Sequence, residues 1–524
     1  MLRLISVAYL LVGSPIATSP PMGTTLNGTH SGVYSTSFEQ DFFLGIPYLQ
    51  APVDDRRFHP ADSLTGSWDG TRNATAYAPS CYLNIVRPHQ NTSETDPLPV
   101  VIYFHGGGFS GGSAHDGRYN LSSFVARSVQ QNQPVIAVSF NYRLSAWGFL
   151  YSNQIRDTGA TNVGLRDQRY ALQWVQENIA GFGGDPRRVT VWGQGAGASS
   201  VGFQLTAYAG RDDGLLRAAI MQSGNPVPSR GLNGTQYFQP LYDALTQQDT
   251  CWVSPDSMAC LRTVPFAEMN AAINATSPHG WFPVIDGDIV PEQPSRSLYT
   301  RKFVPVPITL GAATDEGTAQ MPAGSYPQSY GVAPGLALPQ VLVDQITTAY
   351  ANVSSVPAVK ARLYQGDSTV IAHRRQACAT WSRNDVTTYC YRWNIALDDG
   401  QRTARHGDDL PFIFDNTRGT GYEKIPLDNE SLVELAAEVS GSWVSFVATL
   451  NPNAWRTASN SSITAPATTT KGRISTWPQY GAPHQYALVF QANGTSYVEE
   501  DTWRATPIRL INGPPSGIGV AYQR

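Results

Sequence analysis

Charge is scarce in this chain. Asp, Glu, Lys and Arg make up 15% of its 524 residues, against about 25% in an average globular protein. The little charge present nearly cancels, 36 Lys+Arg against 40 Asp+Glu, for a net −4. A protein that neutralises a run of phosphates needs a basic excess, so nucleic acid is excluded as a partner. Cysteine is sparse as well, five in all, with no Cys-x-x-Cys pair and no histidine-rich cluster. The ligand spacing of a metal site is therefore missing, and neither metal nor other cofactor is expected. Beyond the N-terminus no apolar run approaches the roughly 20 residues that span a bilayer, so no stable membrane anchor is expected. The 47 glycines and 37 prolines stay below the roughly 25–30% share typical of disordered chains. What is present is 41% hydrophobic and 11% aromatic residues, enough for a sizeable core. This describes a folded, loop-rich, nearly neutral protein.

The N-terminus carries export features. Arg3 precedes the apolar stretch Leu4 to Val12, and the small or turn-forming Gly13, Ser14 and Pro15 follow. That stretch is too short to cross a membrane but suits a secretory signal over residues 1–18; a buried first strand would have similar residues. Ten Asn-x-Ser/Thr acceptors agree with a secreted or lumenal glycoprotein: Asn27, Asn73, Asn91, Asn120, Asn233, Asn274, Asn352, Asn429, Asn460 and Asn493. The cysteines are Cys81, Cys251, Cys260, Cys378 and Cys390. Their odd number leaves at least one thiol free or paired outside the chain. Cys251 and Cys260 close a short loop containing Pro255 and read as a local disulfide in an oxidising compartment. Cys378 and Cys390 pair with each other or stay buried thiols; both remain open.

Length at about 150 residues per domain suggests three or four domains, yet a single large α/β domain is equally allowed. The pattern favours the latter, over residues 19–524. Val100 to Phe104 and Val135 to Tyr142 are short apolar runs that suit strands buried on both faces. Between Gly164 and Ile179 the pairs Tyr170/Trp174 and Ala171/Val175 recur at i, i+4, predicting an amphipathic helix that Gly181 to Pro186 ends. Val189 to Trp192 is the next strand, followed by the turn Gly193 to Gly197 and a helix from Ala198. Ala218 to Met221 and Val306 to Leu310 add two strands. Strands alternating with helices predict a mostly parallel central sheet, helices on both faces, with right-handed crossovers. No internal repeat or linker divides the chain, and Thr457 to Lys471, rich in Ser, Thr and Ala, reads as a solvated loop.

Three segments carry chemistry. His105-Gly106-Gly107-Gly108-Phe109 follows a strand, which puts it at the carboxyl edge of the sheet where α/β folds bind ligands. Its glycines allow backbone N–H groups to face a ligand. Gly193-Gln194-Gly195-Ala196-Gly197 is a tight strand-to-helix turn at the same edge. Asp315-Glu316-Gly317 and His406-Gly407-Asp408-Asp409 come later. The order of elbow, acid and histidine indicates an α/β-hydrolase fold.

On these residues the chain resembles the type-B carboxylesterase/lipase family, which includes fungal lipases and cholinesterases. The resemblance runs from about Phe43 to the C-terminus. It includes Phe43 to Tyr48, Asn141-Tyr142-Arg143, Asn162 to Asp167, Trp174 to Pro186, Gln222-Ser223-Gly224, Pro283 to Pro291 and Asn451-Pro452-Asn453. It implies that Gly107, Gly108 and the N–H of Ala196 form an oxyanion hole, with Glu316 as triad acid and His406 as general base.

One departure bears on the reaction. The family elbow is Gly-x-Ser-x-Gly, and here the nucleophile position is vacant: it is Gly195, preceded by Gln194 where Glu is usual. Acyl transfer needs an Oγ held against imidazole, and glycine has none. Backbone donors survive such a change, as does the His406–Glu316 pair. A second departure is at Ala78 to Asn84, where the family's loop and its second cysteine look deleted, leaving Cys81 as the unpaired thiol and a compact small molecule as the better substrate. Ser110, Ser145, Ser199, Ser200 and Ser223 lie near the site in sequence and read as capping or supporting residues, Ser199 and Ser200 pointing into packing and Ser223 matching a family serine that supports the site; Arg143 reads as a structural ion-pair member. The first reading is a secreted enzyme acting on a small, mostly apolar ester or carbonyl metabolite. It would use His/Glu acid–base and oxyanion-hole chemistry: elimination, isomerisation, cyclisation or water-mediated hydrolysis, in specialised metabolism by analogy. The alternatives are a non-catalytic secreted binding protein and an ester hydrolase with a substitute nucleophile.

Overall fold

The computed structural model describes residues 19–513, apart from 79–80, 90–95, 229–231, 233, 278–279, 318–339, 398–402, 425–426, 428, 459–473, 482 and 493–494. The expected signal segment, most of the 457–471 loop, and Asn91, Asn233, Asn460 and Asn493 lie outside the described residues. In chain order the strands are β1 (Met22–Thr25), β2 (Gly28–Ser31), β3 (Val33–Ser35), β4 (Gln40–Pro47), β5 (Thr71–Asn73), β6 (Tyr82–Pro88) and β7 (Leu98–Phe104). Then come β8 (Ile136–Phe140), β9 (Gly184–Gln194), β10 (Ala218–Gln222), β11 (Ile308–Ala313), β12 (Thr388–Trp393), β13 (Tyr486–Phe490) and β14 (Tyr497–Glu500).

Among the described residues β1, β2 and β5 form a small three-stranded sheet. The other strands form an 11-stranded sheet in the order β14-β13-β12-β11-β10-β9-β7-β8-β6-β4-β3. From β8 through β13 its neighbours run parallel, and both edges finish antiparallel. This is an α/β-hydrolase sheet. Side chains alternate across it, as period-2 strand geometry requires. Val100, Ile102 and Phe104 join one buried cluster while Val101 and Tyr103 join the other. That two-sided burial is why the run is apolar throughout. The helices Val163–Asn178 and Ala196–Gly210 cover the first face, with Leu172, Val175, Val201 and Leu205 buried. Ser122–Gln130 and Glu430–Thr449 cover the second, through Phe124, Val125, Trp443 and Val447.

Several boundaries differ from the sequence reading; the helix expected from Ala198 opens at Ala196, and two further shifts have a visible cause. Gly181 belongs to a 3-10 turn at Ile179–Phe182, but β9 already starts at Gly184 because Leu98 pairs there before the register shifts. The strand expected at Val306 starts instead at Ile308: Pro307 has no N–H to donate, and its carbonyl accepts from the Ala219 N–H at 3.0 Å. Two disulfides are present, Cys251–Cys260 and Cys378–Cys390. The second, left open by the sequence, ties the helix Ala372–Arg383 to β12. Cys81 is the buried free cysteine, its thiol pKa pushed up by burial. Asn27, Asn73, Asn120, Asn274, Asn352 and Asn429 are all exposed or half-buried. No helix among the described residues is long and apolar enough to cross a membrane.

Candidate active site

The site assembles at the carboxyl ends of β7, β9 and β11. At the end of β9 the chain reverses through Gly195, with φ 58° and ψ −121°, and the helix Ala196–Gly210 begins at once. L-side chains rarely adopt that backbone, and glycine does so without steric cost. The turn is pinned on both sides: Gly195 N–H donates to Gln222 O at 2.9 Å, and Gly195 O accepts from Ser199 N–H at 3.0 Å. Ala196 opens the helix, so its N–H has no intrahelical partner, and the residue lines the site's cavity.

After β7, Gly107 has φ 114°, and a Cβ there would lie 2.1 Å from Gly111 O. Its carbonyl accepts from Ser110 and Gly111 N–H at 3.2 and 3.0 Å, a tight loop that only glycine fits. His105 anchors this loop from beneath. It is buried, stacked on Tyr142 with ring centroids 4.5 Å apart, and hydrogen-bonded through Nδ1 to Gly106 O at 2.9 Å. Burial pulls its pKa down to about 4, so it stays neutral.

Glu316 and His406 come from two loops stitched together where Asp315 N–H donates to Ala404 O at 2.9 Å. The Glu316 carboxylate is fully buried. Its Oε1 accepts from Ala313 N–H at 2.6 Å, and its Oε2 faces His406 Nδ1 at 2.7 Å. Nδ1 therefore holds the proton, leaving Nε2 unprotonated, with an acceptor lone pair, when the imidazole is neutral. The ring is 42% exposed, opening toward the cavity. Desolvation lowers its pKa, but Glu316, through charge and hydrogen bond, and the Asp409 and Asp408 carboxylates outweigh it and raise the value above 6.5. Asp409 is itself buried and pushed up to about 6, held by Gln222 Nε2 at 2.8 Å and Tyr391 OH at 3.2 Å.

Gln194 Nε2 lies 2.9 Å from His406 Nε2. A Cβ built on Gly195 would sit 3.1 Å from that same nitrogen and meet nothing else but its neighbour Cε1 at 3.5 Å. Among the described residues no hydroxyl bonds to His406. A cavity of ≈ 440 Å³ opens in front, with Gly107, Gly108, Gly195, Ala196 and His406 in its lining. Phe109, Phe203, Leu232, Phe282 and Val370 give it a mostly apolar wall.

All six residues singled out in the sequence meet here, five on the cavity and Glu316 behind the imidazole. The nearby serines separate. Ser200 is fully buried, accepting from Gln168 Nε2 at 2.9 Å, as expected of a packing residue. Ser199, expected in the packing, instead lines the cavity with Ser223, because the first helical turn passes directly along it. Arg143 is a structural ion-pair member: its guanidinium forks onto buried Asp167 at 2.6 and 2.7 Å. Sequence reasoning marked Gln194 as unusual but missed that it reaches the imidazole. It also missed Thr369 and Val370, which a π-helical turn at Asp367–Ile371 brings to the cavity; no local pattern announces such a turn.

The fold and these loops are those of the carboxylesterase family, and the chain belongs to it: the family model matches residues 16–82 and 82–504. The break falls at Tyr82, beside Cys81. Among curated relatives, a protein named secreted lipase ARB07186/07185 from Arthroderma benhamiae is 30% identical over 474 residues, 81% of this chain and 82% of its own length. Lipase 2 of Diutina rugosa is 33% identical over 365 residues, 60% of this chain and 65% of that one. Secreted lipase 1 of Botryotinia fuckeliana is 32% identical over 354 residues, 58% and 59% of the two chains. The chain thus aligns with less than two thirds of the length of these last two. Among solved structures, EstA of Aspergillus niger superposes with TM-score 0.78 at 25% identity, covering 96% of this chain and 99% of that one. A structure titled PNB esterase gives TM-score 0.74 at 24% identity over 94% and 100%, which bears on the fold alone.

Proposed function

We propose that this carboxylesterase-family chain is a secreted enzyme that acts on a small, mostly apolar ester or carbonyl compound by acid–base chemistry rather than by serine acyl transfer. His406 Nε2 takes a proton from the bound substrate, or from a water attacking it, and returns it later in the cycle. Glu316 holds the imidazole by Nδ1 and balances the charge of the imidazolium. The amides of Gly107, Gly108 and Ala196 receive the carbonyl oxygen as it gains negative charge. The observation that carries this reading is the pairing of an oriented imidazole, 2.7 Å from a buried carboxylate, with a Gly195 that has no hydroxyl to offer it. Positioned proton transfer of this kind contributes about 10²–10⁴-fold. Elimination, isomerisation, cyclisation and direct hydrolysis all need only these groups, and a role in specialised metabolism fits such chemistry. Secretion rests on the N-terminal segment, the density of glycosylation acceptors and relatives named secreted lipases.

The experiment screens culture metabolites and small esters against the purified protein, then compares the wild type with His406→Ala on the compound consumed. Turnover falling by about 10² or more is expected. Unchanged turnover would overturn the reading, and binding without consumption would favour a non-catalytic role. An organophosphonate adduct on Ser199 or Ser223 would restore acyl transfer through a substitute nucleophile.

A further inference from the structure

Loss of the elbow hydroxyl leaves His406 Nε2 needing another partner, and the neighbouring residue supplies one. Gln194 is buried, with its amide nitrogen 2.9 Å from Nε2. The opposite ring nitrogen is already committed to Glu316. An amide differs here from the carboxylate usual at this position of the family. Its NH2 can donate to the lone pair of a neutral imidazole, and after a half-turn its oxygen can accept from the N–H of the imidazolium. It never carries charge. A carboxylate in the same place would face imidazolium from the side opposite Glu316, and the ring would hold its proton more tightly. Gln194 and Gly195 therefore make one connected change: glycine removes the hydroxyl, and glutamine takes over its hydrogen bond without taking over its chemistry.

We propose that Gln194 is a positioning residue that holds His406 in its Nδ1–H form and keeps Nε2 unprotonated. This rests on the proposed acid–base function but concerns the imidazole, whose state is measurable without any substrate. The charged and titratable groups facing the ring are Glu316 from the loop after β11, and Asp408 and Asp409 from its own turn. Gln194 arrives from the end of β9 and is the uncharged member of the set.

The test is NMR titration of the full-length protein with 13C,15N-labelled histidine. Nine histidines are present, and the His406 signals are assigned by their loss in His406→Asn. In Gln194→Glu the proton affinity of His406 is expected to rise about tenfold or more, a midpoint at least about one pH unit higher. A midpoint that stays within about 0.3 unit of wild type, in a protein that remains folded, would overturn the proposal. If Gln194→Glu does not fold, Gln194→Met serves. Its 15N spectrum should show the unprotonated Nε2 released from its hydrogen bond, and an unchanged Nε2 resonance would equally overturn the proposal. Because no turnover is read, a failure here is distinct from unchanged turnover in His406→Ala, which would remove the acid–base function itself.

Discussion

Placing a serine at the elbow by Gly195→Ser tests whether the surrounding groups are arranged for ester hydrolysis. The backbone at 195 has φ 58° and ψ −121°, a region that costs a non-glycine residue about 1–3 kcal/mol. Reduced freedom of the unfolded chain returns about 0.4–1 kcal/mol, so the net cost is roughly 0–2.6 kcal/mol. With an unfolding entropy of about 2.1 cal/mol/K per residue, the 524 residues lose roughly 1 °C of Tm per kcal/mol. A drop of about 2 °C or less follows, measurable by scanning calorimetry. The new Cβ would lie 3.1 Å from His406 Nε2, which is tight, so the ring must shift by a few tenths of an ångström. The new hydroxyl must also displace Gln194. Giving up that hydrogen bond costs about 0.5–1.5 kcal/mol, up to a tenfold loss of rate. Imperfect placement can cost about 10² more. A complete triad's nucleophile is worth about 10⁶ in turnover, so roughly 10³-fold should remain. p-Nitrophenyl acetate hydrolysis should rise by about that factor, with an initial burst and an organophosphonate adduct mapped to position 195. A folded variant showing neither gain nor adduct would refute the claim that imidazole, carboxylate and backbone donors are arranged for acyl transfer.

Two adjacent glycines should respond differently to alanine. Gly108 has φ 64° with open space where a Cβ would go, so Gly108→Ala should cost only the left-handed strain of about 1–2 kcal/mol. Gly107→Ala drives a methyl to 2.1 Å from Gly111 O, and its thermal stability should fall several times further in the same melt. The pH dependence has a definite sign. Asp409 titrates at about 6 in the fold against 3.8 unfolded, so the folded state binds more protons, and stability falls as pH rises from about 4 to about 6. Asp409→Asn should therefore gain on wild type as melts move from pH 4 to pH 7. The raised His406 pKa adds stability that is fully present below 6.5 and is lost as pH climbs through the folded midpoint. Base-catalysed turnover should fall as pH drops through that same midpoint, which a pH–rate profile reads. Finally, Cys81 is buried with its thiol pKa pushed up. Ellman's reagent should find no thiol in the native protein and one per chain after denaturation without reductant.

The primary structure alone determined much of this site, because the decisive signals are local. A triglycine after an apolar strand, a glycine-flanked elbow and a later acid and histidine each belong to a short stretch, and their order along the chain implies the fold. The absent hydroxyl was equally plain, since a side chain that does not exist cannot be supplied by folding. Strand interiors at 100–104 and 135–142 were legible because burial on both faces leaves an unbroken apolar run. Other features depended on residues far apart in the chain. Whether Cys378 meets Cys390 depends on how a helix lies against β12. Ser199 faces the cavity rather than the core because of the rotation of a helix with little amphipathic contrast. A π-helical turn near 369, set by packing, has no sequence signature. Above all, the meeting of Gln194 with His406 joins residues 212 positions apart. No periodicity records that contact, for only the closure of the sheet's carboxyl edge brings the end of β9 beneath the histidine turn.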